Sequence, residues 1–216
     1  PYSQHSQNRM ARRTKEDALI TRDLILDAAE RVFQRRGVAR TALQEIAEEA
    51  QITRGAIYWH FQNKVDVFDA MLQRVKLPML TRLNSQPLAE SDNPLQHLRQ
   101  NVASAFNETV HNLQVRRVFE IASHRVEYGD DLQAVRDRHI AERAERVMDL
   151  ARVLTLAQAK GQVCPQVGTH SAAIGLFALL DGLMNNWLLQ PEAFDLEVVG
   201  AQALDAYLVG LGGVLL

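Results

Sequence analysis

TALQEIAEEAQITRGAIYWHFQNK, running from Thr41 to Lys64, reads as two short helices joined by a tight turn. Thr41 with Gln44 has the pattern of a capping box that opens the first helix. Leu43, Ile46, Ala47 and Ala50 then recur at helical spacing and give that helix one apolar face. Ile52, Ile57 and Phe61 do the same for the second helix, which Thr53 is placed to cap. Two short helices with this patterning make a helix-turn-helix, whose second helix lies in the DNA major groove. Away from Ile57 and Phe61 the second helix carries Gly55, Ala56, Tyr58 and Trp59. Two small residues and two flat rings are an odd surface for water and a suitable one for a groove wall.

The segment resembles the TetR family of bacterial transcriptional repressors. The resemblance is carried by Thr41, the Ile46-Ala47 pair, Thr53, Gly55, Tyr58, the His60-Phe61 pair and Lys64. Gln51 departs from it by standing in the turn where the family usually has Gly, and Val67 by replacing a usual Leu. A side chain at Gln51 implies a modest cost if the turn needs a positive φ. The stretch ARRTKEDALITRDLILDAAERVF, with AIYWHF, is similar to the drug-efflux regulators of the AcrR and TtgR type within the family.

Working outward from this motif, the fold class is all-α, with about nine helices. Residues 1–13 read as a tag remnant, with Met10 as the native start, followed by a basic arm. Arg12 and Arg13 of that arm are candidates to reach phosphates or a minor groove, against the alternative of a frayed terminus. Residues 14–62 form the DNA-binding head. Its first helix runs from about Lys15 to Arg36, with Ala18, Leu24, Ile25, Ala28, Val32 and Phe33 inward and Gly37 at its end. Residues 63–83 are a linker helix capped by Asn63, with Val67, Phe68, Met71 and Val75 buried, and Pro78 is placed to kink or interrupt it. Residues 84–216 are the body, entered through the loop NSQPLAESDN and a helix starting at Asn93-Pro94. A helix ending near Gly129 and a long one from Asp130 or Asp131 to about Lys160 follow.

Composition agrees with a helical, intracellular protein. The chain has 216 residues, 47% of them apolar, with 11 Gly and 6 Pro. One cysteine, Cys164, excludes an internal disulfide framework and suits a reducing cytoplasm, and no apolar leader is visible. The formal net charge is −2. Up to Lys76 there are 13 Lys and Arg against 10 Asp and Glu, and beyond it 11 against 16. A mildly basic head on an acidic body suits local phosphate contact without indiscriminate polyanion binding.

SAAIGLFALLDGLMNNWLLQ, Ser171 to Gln190, is apolar around nearly its whole circumference. A surface helix wants one wet face. A membrane span is opposed by Asp181, Asn185 and Asn186 at mid-segment, since an Asp there costs roughly 2.5–3.5 kcal/mol. The reading is a helix covered by its own body on one side and a second subunit on the other. The last helix, with Leu204, Tyr207, Leu208 and Leu211, supplies a second stripe for that seam. Gly175 and Gly182 allow close approach there, and Trp187 is placed at the same interface. The TetR resemblance implies the same arrangement, a four-helix dimer interface from the last two helices.

For the DNA face, the resemblance implies phosphate contacts from Tyr58, His60 and Lys64, with Thr41 and Thr53 assisting. His60 also reads as a satisfied core histidine, and Trp59 as either a DNA contact or a packing residue. Arg54 carries the planar fork that fits a guanine edge, while Gly55 and Ala56 allow close approach. The resemblance further implies a lipophilic effector bound in the body. Phe106, Phe119, Phe177, Leu180 and Met184 are candidate walls, and Asn107, His111, His124, Asp181 and Asn185 candidate polar groups. Asp181 could meet a cationic compound, pair with Arg125 or Arg143, or sit at the dimer seam. For His111 and His124 an ordinary hydrogen-bonded histidine is the competing reading.

No cofactor is expected, and no enzyme. Cys164 has no His or carboxylate motif around it, and no HExxH, P-loop or paired-Cys pattern is present. The expected partners are duplex operator DNA, a second copy of the chain and a lipophilic effector, with no membrane. A ligand-independent regulator or activator with the same head is the alternative to a drug-responsive repressor.

Overall fold

The computed structural model describes residues 2–83, 92–127 and 133–212, with side chains described from Glu16 to Lys76 and throughout the later two spans. Among these residues there are nine helices: α1 (Tyr2–Arg36), α2 (Leu43–Glu49), α3 (Arg54–His60), α4 (Lys64–Leu83), α5 (Pro94–His111), α6 (Leu113–His124), α7 (Gln133–Ala159), α8 (Thr169–Leu189) and α9 (Leu196–Gly210). The all-α expectation therefore holds.

In the head, α1, α2 and α4 close over a core containing Ile25, Leu26, Val32, Phe33, Ile46, Ile57, Phe68 and Met71. Phe33 and Phe68 meet edge to face, their centroids 6.1 Å apart. The expected inner stripe of α4 (Val67, Phe68, Met71 and Val75) is buried throughout. Asn63 caps that helix by accepting from the Asp66 amide at 3.0 Å, and α4 continues past Pro78 to Leu83.

Three expectations for the head are corrected. First, α1 starts at Tyr2, so the opening residues continue the helix instead of standing apart from it. The side chains of Arg12 and Arg13 lie outside the described residues. Second, Leu24 points outward with 48% exposure, and Leu26 and Ala29 are inside instead. Third, Thr41 does not cap α2. Gly37 adopts φ +80°, and the Thr41 hydroxyl, buried, donates to the Gly37 carbonyl at 2.8 Å. The helix consequently begins one residue later, with Ala42 at its N-cap, and the Glu45 carboxylate accepts the Ala42 amide at 2.9 Å.

The core of the head does not stop at α4. Val115, Val118 and Ile121 of α6, and Val135 of α7, belong to the same apolar cluster. Head and body therefore meet along the whole of α6 as well as through α4. The body itself is α5, α7, α8 and α9 around Leu95, Leu98, Leu154, Leu176, Leu204 and Leu208. Asn93 caps α5 with Pro94 in its first turn, as expected. The second body helix ends at His124, short of Gly129. Gly129, Asp130 and Asp131 lie outside the described residues, as does the loop from 84 to 91. On α7, Ile140 and Ala144 face solvent.

Among the described helices α8 alone is long and apolar enough to cross a membrane. It packs here on α6, α7 and α9 as a helix of the body.

Candidate nucleic-acid interface and the body behind it

The turn between α2 and α3 takes the conformation its sequence suggested: Gln51 sits at φ +58°, the only non-glycine with positive φ among the described residues. Thr53 then caps α3, its hydroxyl accepting from the Ala56 amide at 3.2 Å. Ile57 and Phe61 anchor the short helix in the core. What remains outward is Thr53, Arg54, Gly55, Tyr58 and Trp59. Tyr58 is 47% exposed and Trp59 73% exposed.

Ion pairing sorts the positive charge of the head. Arg31 and Arg35 both hold Glu49, at 2.7 and 2.6 Å, and Arg36 holds Glu45. Those two guanidinium groups lower the Glu49 carboxyl below its usual range. Arg54 has no ion pair among the described residues and lies 5.5 Å from the centre of the Tyr58 ring. Among the described residues, Arg54 therefore leaves a cation available on the outward face of α3. Lys64 is half-buried and donates to the Ala39 carbonyl at 2.5 Å, so it stands at the foot of the face instead of on it. His60 is half-buried, edge-on to Trp59 at 4.6 Å. Burial and the nearby Arg22 push its pKa below the ordinary imidazole value.

In the body, Phe106, Phe119, Leu180 and Met184 come together around Trp187, Leu188 and Leu196. Phe177 belongs to the other body cluster, under the Arg143 guanidinium at 5.5 Å. The polar candidates are mostly elsewhere. Asn107 and His111 are exposed and both engage Glu197, at 2.9 and 3.0 Å. His124 Nε2 approaches the Asn185 carbonyl at 3.2 Å. Asp181 is exposed, not buried, and accepts from Asn185 Nδ2 at 2.9 Å. It makes no ion pair with Arg125 or Arg143 among the described residues, because α8 turns it away from the body. A cavity of about 210 Å³ opens between α5 and α9, beside the Arg99–Asp205 ion pair, and Phe106 is the one expected wall residue that lines it.

Most of the expected dimer residues prove to face inward. Trp187, Leu204 and Leu208 are buried within the chain. Gly175 is needed by the chain's own Tyr207, whose hydroxyl would lie 2.5 Å from a Cβ placed there and donates to the Ala172 carbonyl at 2.8 Å. Leu211 packs against the same core. A helical stripe has two edges, and the larger residues took the inner one. Gly182 has open space above it. The outward side of α8 and α9 presents Ile174, Leu189, Val198 and Val209 instead.

Residues 25–71 match the bacterial regulatory proteins of the tetR family, and residues 93–212 the C-terminal region of MAATS-type transcriptional repressors. The chain belongs to the TetR family. It is 40% identical to the HTH-type transcriptional regulator TtgR of Pseudomonas putida over 191 residues, 87% of this chain and 89% of that one. It is 34% identical to the HTH-type transcriptional repressor BepR of Brucella suis, over 93% and 96% of the two chains. Among solved structures, NalD, the secondary repressor of the MexAB-OprM multidrug efflux pump in Pseudomonas aeruginosa, superposes with a TM-score of 0.78 at 32% identity, over 91% of this chain and 98% of that one. The SmeT–triclosan complex gives 0.80 at 34%, over 88% and 91%. These relatives are transcriptional regulators, and this TetR chain is a regulator, not an enzyme.

Sequence reasoning missed the polar seam of this TetR protein between α1 and α6, and Glu30 within it. The signal was present: Glu30 falls inside the apolar arc of α1, between Leu26 and Phe33.

Proposed function

We propose that this protein represses a multidrug efflux operon. A twofold dimer binds a near-palindromic operator and leaves it when a lipophilic compound enters the body. The observation that carries the reading is the outward face of α3, where Arg54, without an ion pair among the described residues, stands with a glycine and two exposed aromatic rings. Water gives no reason for such a face, and a major groove does. In this reading Arg54 reads a guanine edge. Tyr58, Trp59, His60 and Lys64 hold the backbone, with Gly55 and Ala56 at closest approach. Thr53 contributes at the helix start, while Thr41 acts only by shaping the turn. The outward side of α8 and α9 covers its twin in the second subunit, which sets the two α3 helices roughly 34–36 Å apart. The cluster around Phe106, Phe119, Leu180 and Met184 supplies apolar walls for the effector. The efflux role is supported by the relatives, NalD and SmeT being efflux-pump repressors.

The test is a gel shift on intergenic fragments next to efflux operons, over a salt series. Retardation that weakens steeply with salt is expected. Arg54→Ala should cost about 1–3 kcal/mol and relax specificity at one base pair of each half-site. Triclosan, the compound in the SmeT complex, is the first effector probe. Absence of retardation at low salt, or an Arg54→Ala protein that binds as tightly as the parent, overturns the reading.

A further inference from the structure

Glu30 of α1 is 2% exposed and is met by two other elements at once, α4 and α6. Arg74 of α4 places its guanidinium on Oε1. Gln114 of α6 donates to the same oxygen at 3.0 Å, and Arg117 of α6 stands 3.8 Å from Oε2. Arg74 also reaches Asp27 on α1 at 2.8 Å. Farther along the seam Gln34 donates to Glu120 at 3.3 Å, and the Val38 amide to the Arg125 carbonyl at 2.9 Å.

A buried ion pair is a poor source of stability, because desolvation offsets the attraction and an apolar replacement packs as well. What such a pair supplies is direction. Apolar contacts between helices tolerate a spread of crossing angles, whereas charge-assisted hydrogen bonds act only along narrow lines. The ion pairs that tie α4 to α7, Arg138 with Asp69 and Lys76 with Glu142, are more exposed than the Arg74–Glu30 pair and hold the linker less firmly.

We infer that Glu30 is a positioning residue: by clasping α1, α4 and α6 together it fixes the angle of the DNA-binding head on the body. Its consequence for DNA rests on the repressor reading. With the angle fixed, a dimer meets both half-sites without paying to orient its heads. A loosened clasp therefore weakens the full operator and leaves each half-site unaffected.

The test keeps Glu30 and its Arg74 partner and removes the grip of α6, by Gln114→Leu with Arg117→Gln. Spin labels go on exposed positions of α2 and α7, Gln44→Cys and Arg152→Cys in a Cys164→Ser chain, diluted into unlabelled protein so that only distances within one chain are read. One narrow distance is expected for the parent, and a distribution at least twice as wide for the variant at unchanged helix content. An unchanged width overturns the clasp. If the double variant loses helix content, Gln114→Leu alone, which leaves both arginines, is read in the same way. In the binding arm, affinity for the full operator should fall tenfold or more while affinity for a single half-site stays the same. Equal losses on both, or none, overturn the positioning role. A parent that binds no operator sinks the repressor reading instead, and the distance measurement still decides the clasp.

Discussion

Gly55 shows how a single position separates internal from external demands. Its backbone is not in the left-handed region, and a Cβ there would meet only the Thr53 hydroxyl, at an ordinary 3.9 Å. Nothing among the described residues asks for glycine at this helical position, where alanine is better by about 1 kcal/mol. Gly55→Ala should therefore raise the thermal midpoint while weakening operator binding, measured by melting and by gel shift on one preparation. A variant that is both more stable and equally tight would remove the close approach from the DNA reading. His60 allows a second discrimination. Free of DNA its pKa is depressed, so it is neutral at neutral pH. A phosphate placed beside it would raise that pKa, and binding would then take up a proton. Operator affinity should accordingly climb as the pH is lowered from neutral into the imidazole range, and His60→Gln should flatten the climb. Folding alone runs the other way, since the unfolded imidazole binds the proton more readily and stability declines over the same range. A flat profile in the parent would leave His60 as a packing residue.

At the scale of elements, periodicity located the helices and most of their inner faces, Leu24 excepted. The two short helices, the Thr53 and Asn63 caps, the left-handed Gln51 and the buried side of α4 all follow from local patterns that local forces obey. The failures at the expected dimer and effector residues share a cause, which is that a pattern cannot say which neighbour a face meets. Leu204 and Leu208 were legible as buried, but their partner is the chain's own body and not a second subunit. Asp181 looked like a buried carboxylate because the residues around it are apolar, yet it is exposed on the outer side of the chain, held by Asn185. Asn107 and His111 sit on an apolar helix and still end at its rim, held by Glu197 of α9. The division of α8 and α9 into inner and outer edges makes a paired prediction. Val198→Asp, on the outer edge, should yield a folded monomer by sedimentation. Leu204→Ala, on the inner edge, should cost about 2–5 kcal/mol of stability. If Val198→Asp remains fully dimeric, the outward face of α9 is not the seam.

On the scale of the molecule, head and body are less separate than their two sequence patterns imply. Three valine and isoleucine side chains of α6 complete the core of the head, and a buried carboxylate ties the two across the join. The division at residues 62 and 83 therefore describes the chain and not the packing. The two indoles lie on opposite sides of this join. Trp59 is 73% exposed on the outer surface of the head, and Trp187 is 4% exposed beneath the Arg116 guanidinium in the body. Indole emission moves to the red with hydration, so the chain carries one red and one blue fluorophore at separate stations. Iodide should quench the red component alone, and duplex DNA should shield it from iodide. A compound lodging near Phe106 should dim the blue one, so that a single spectrum reads both stations at once.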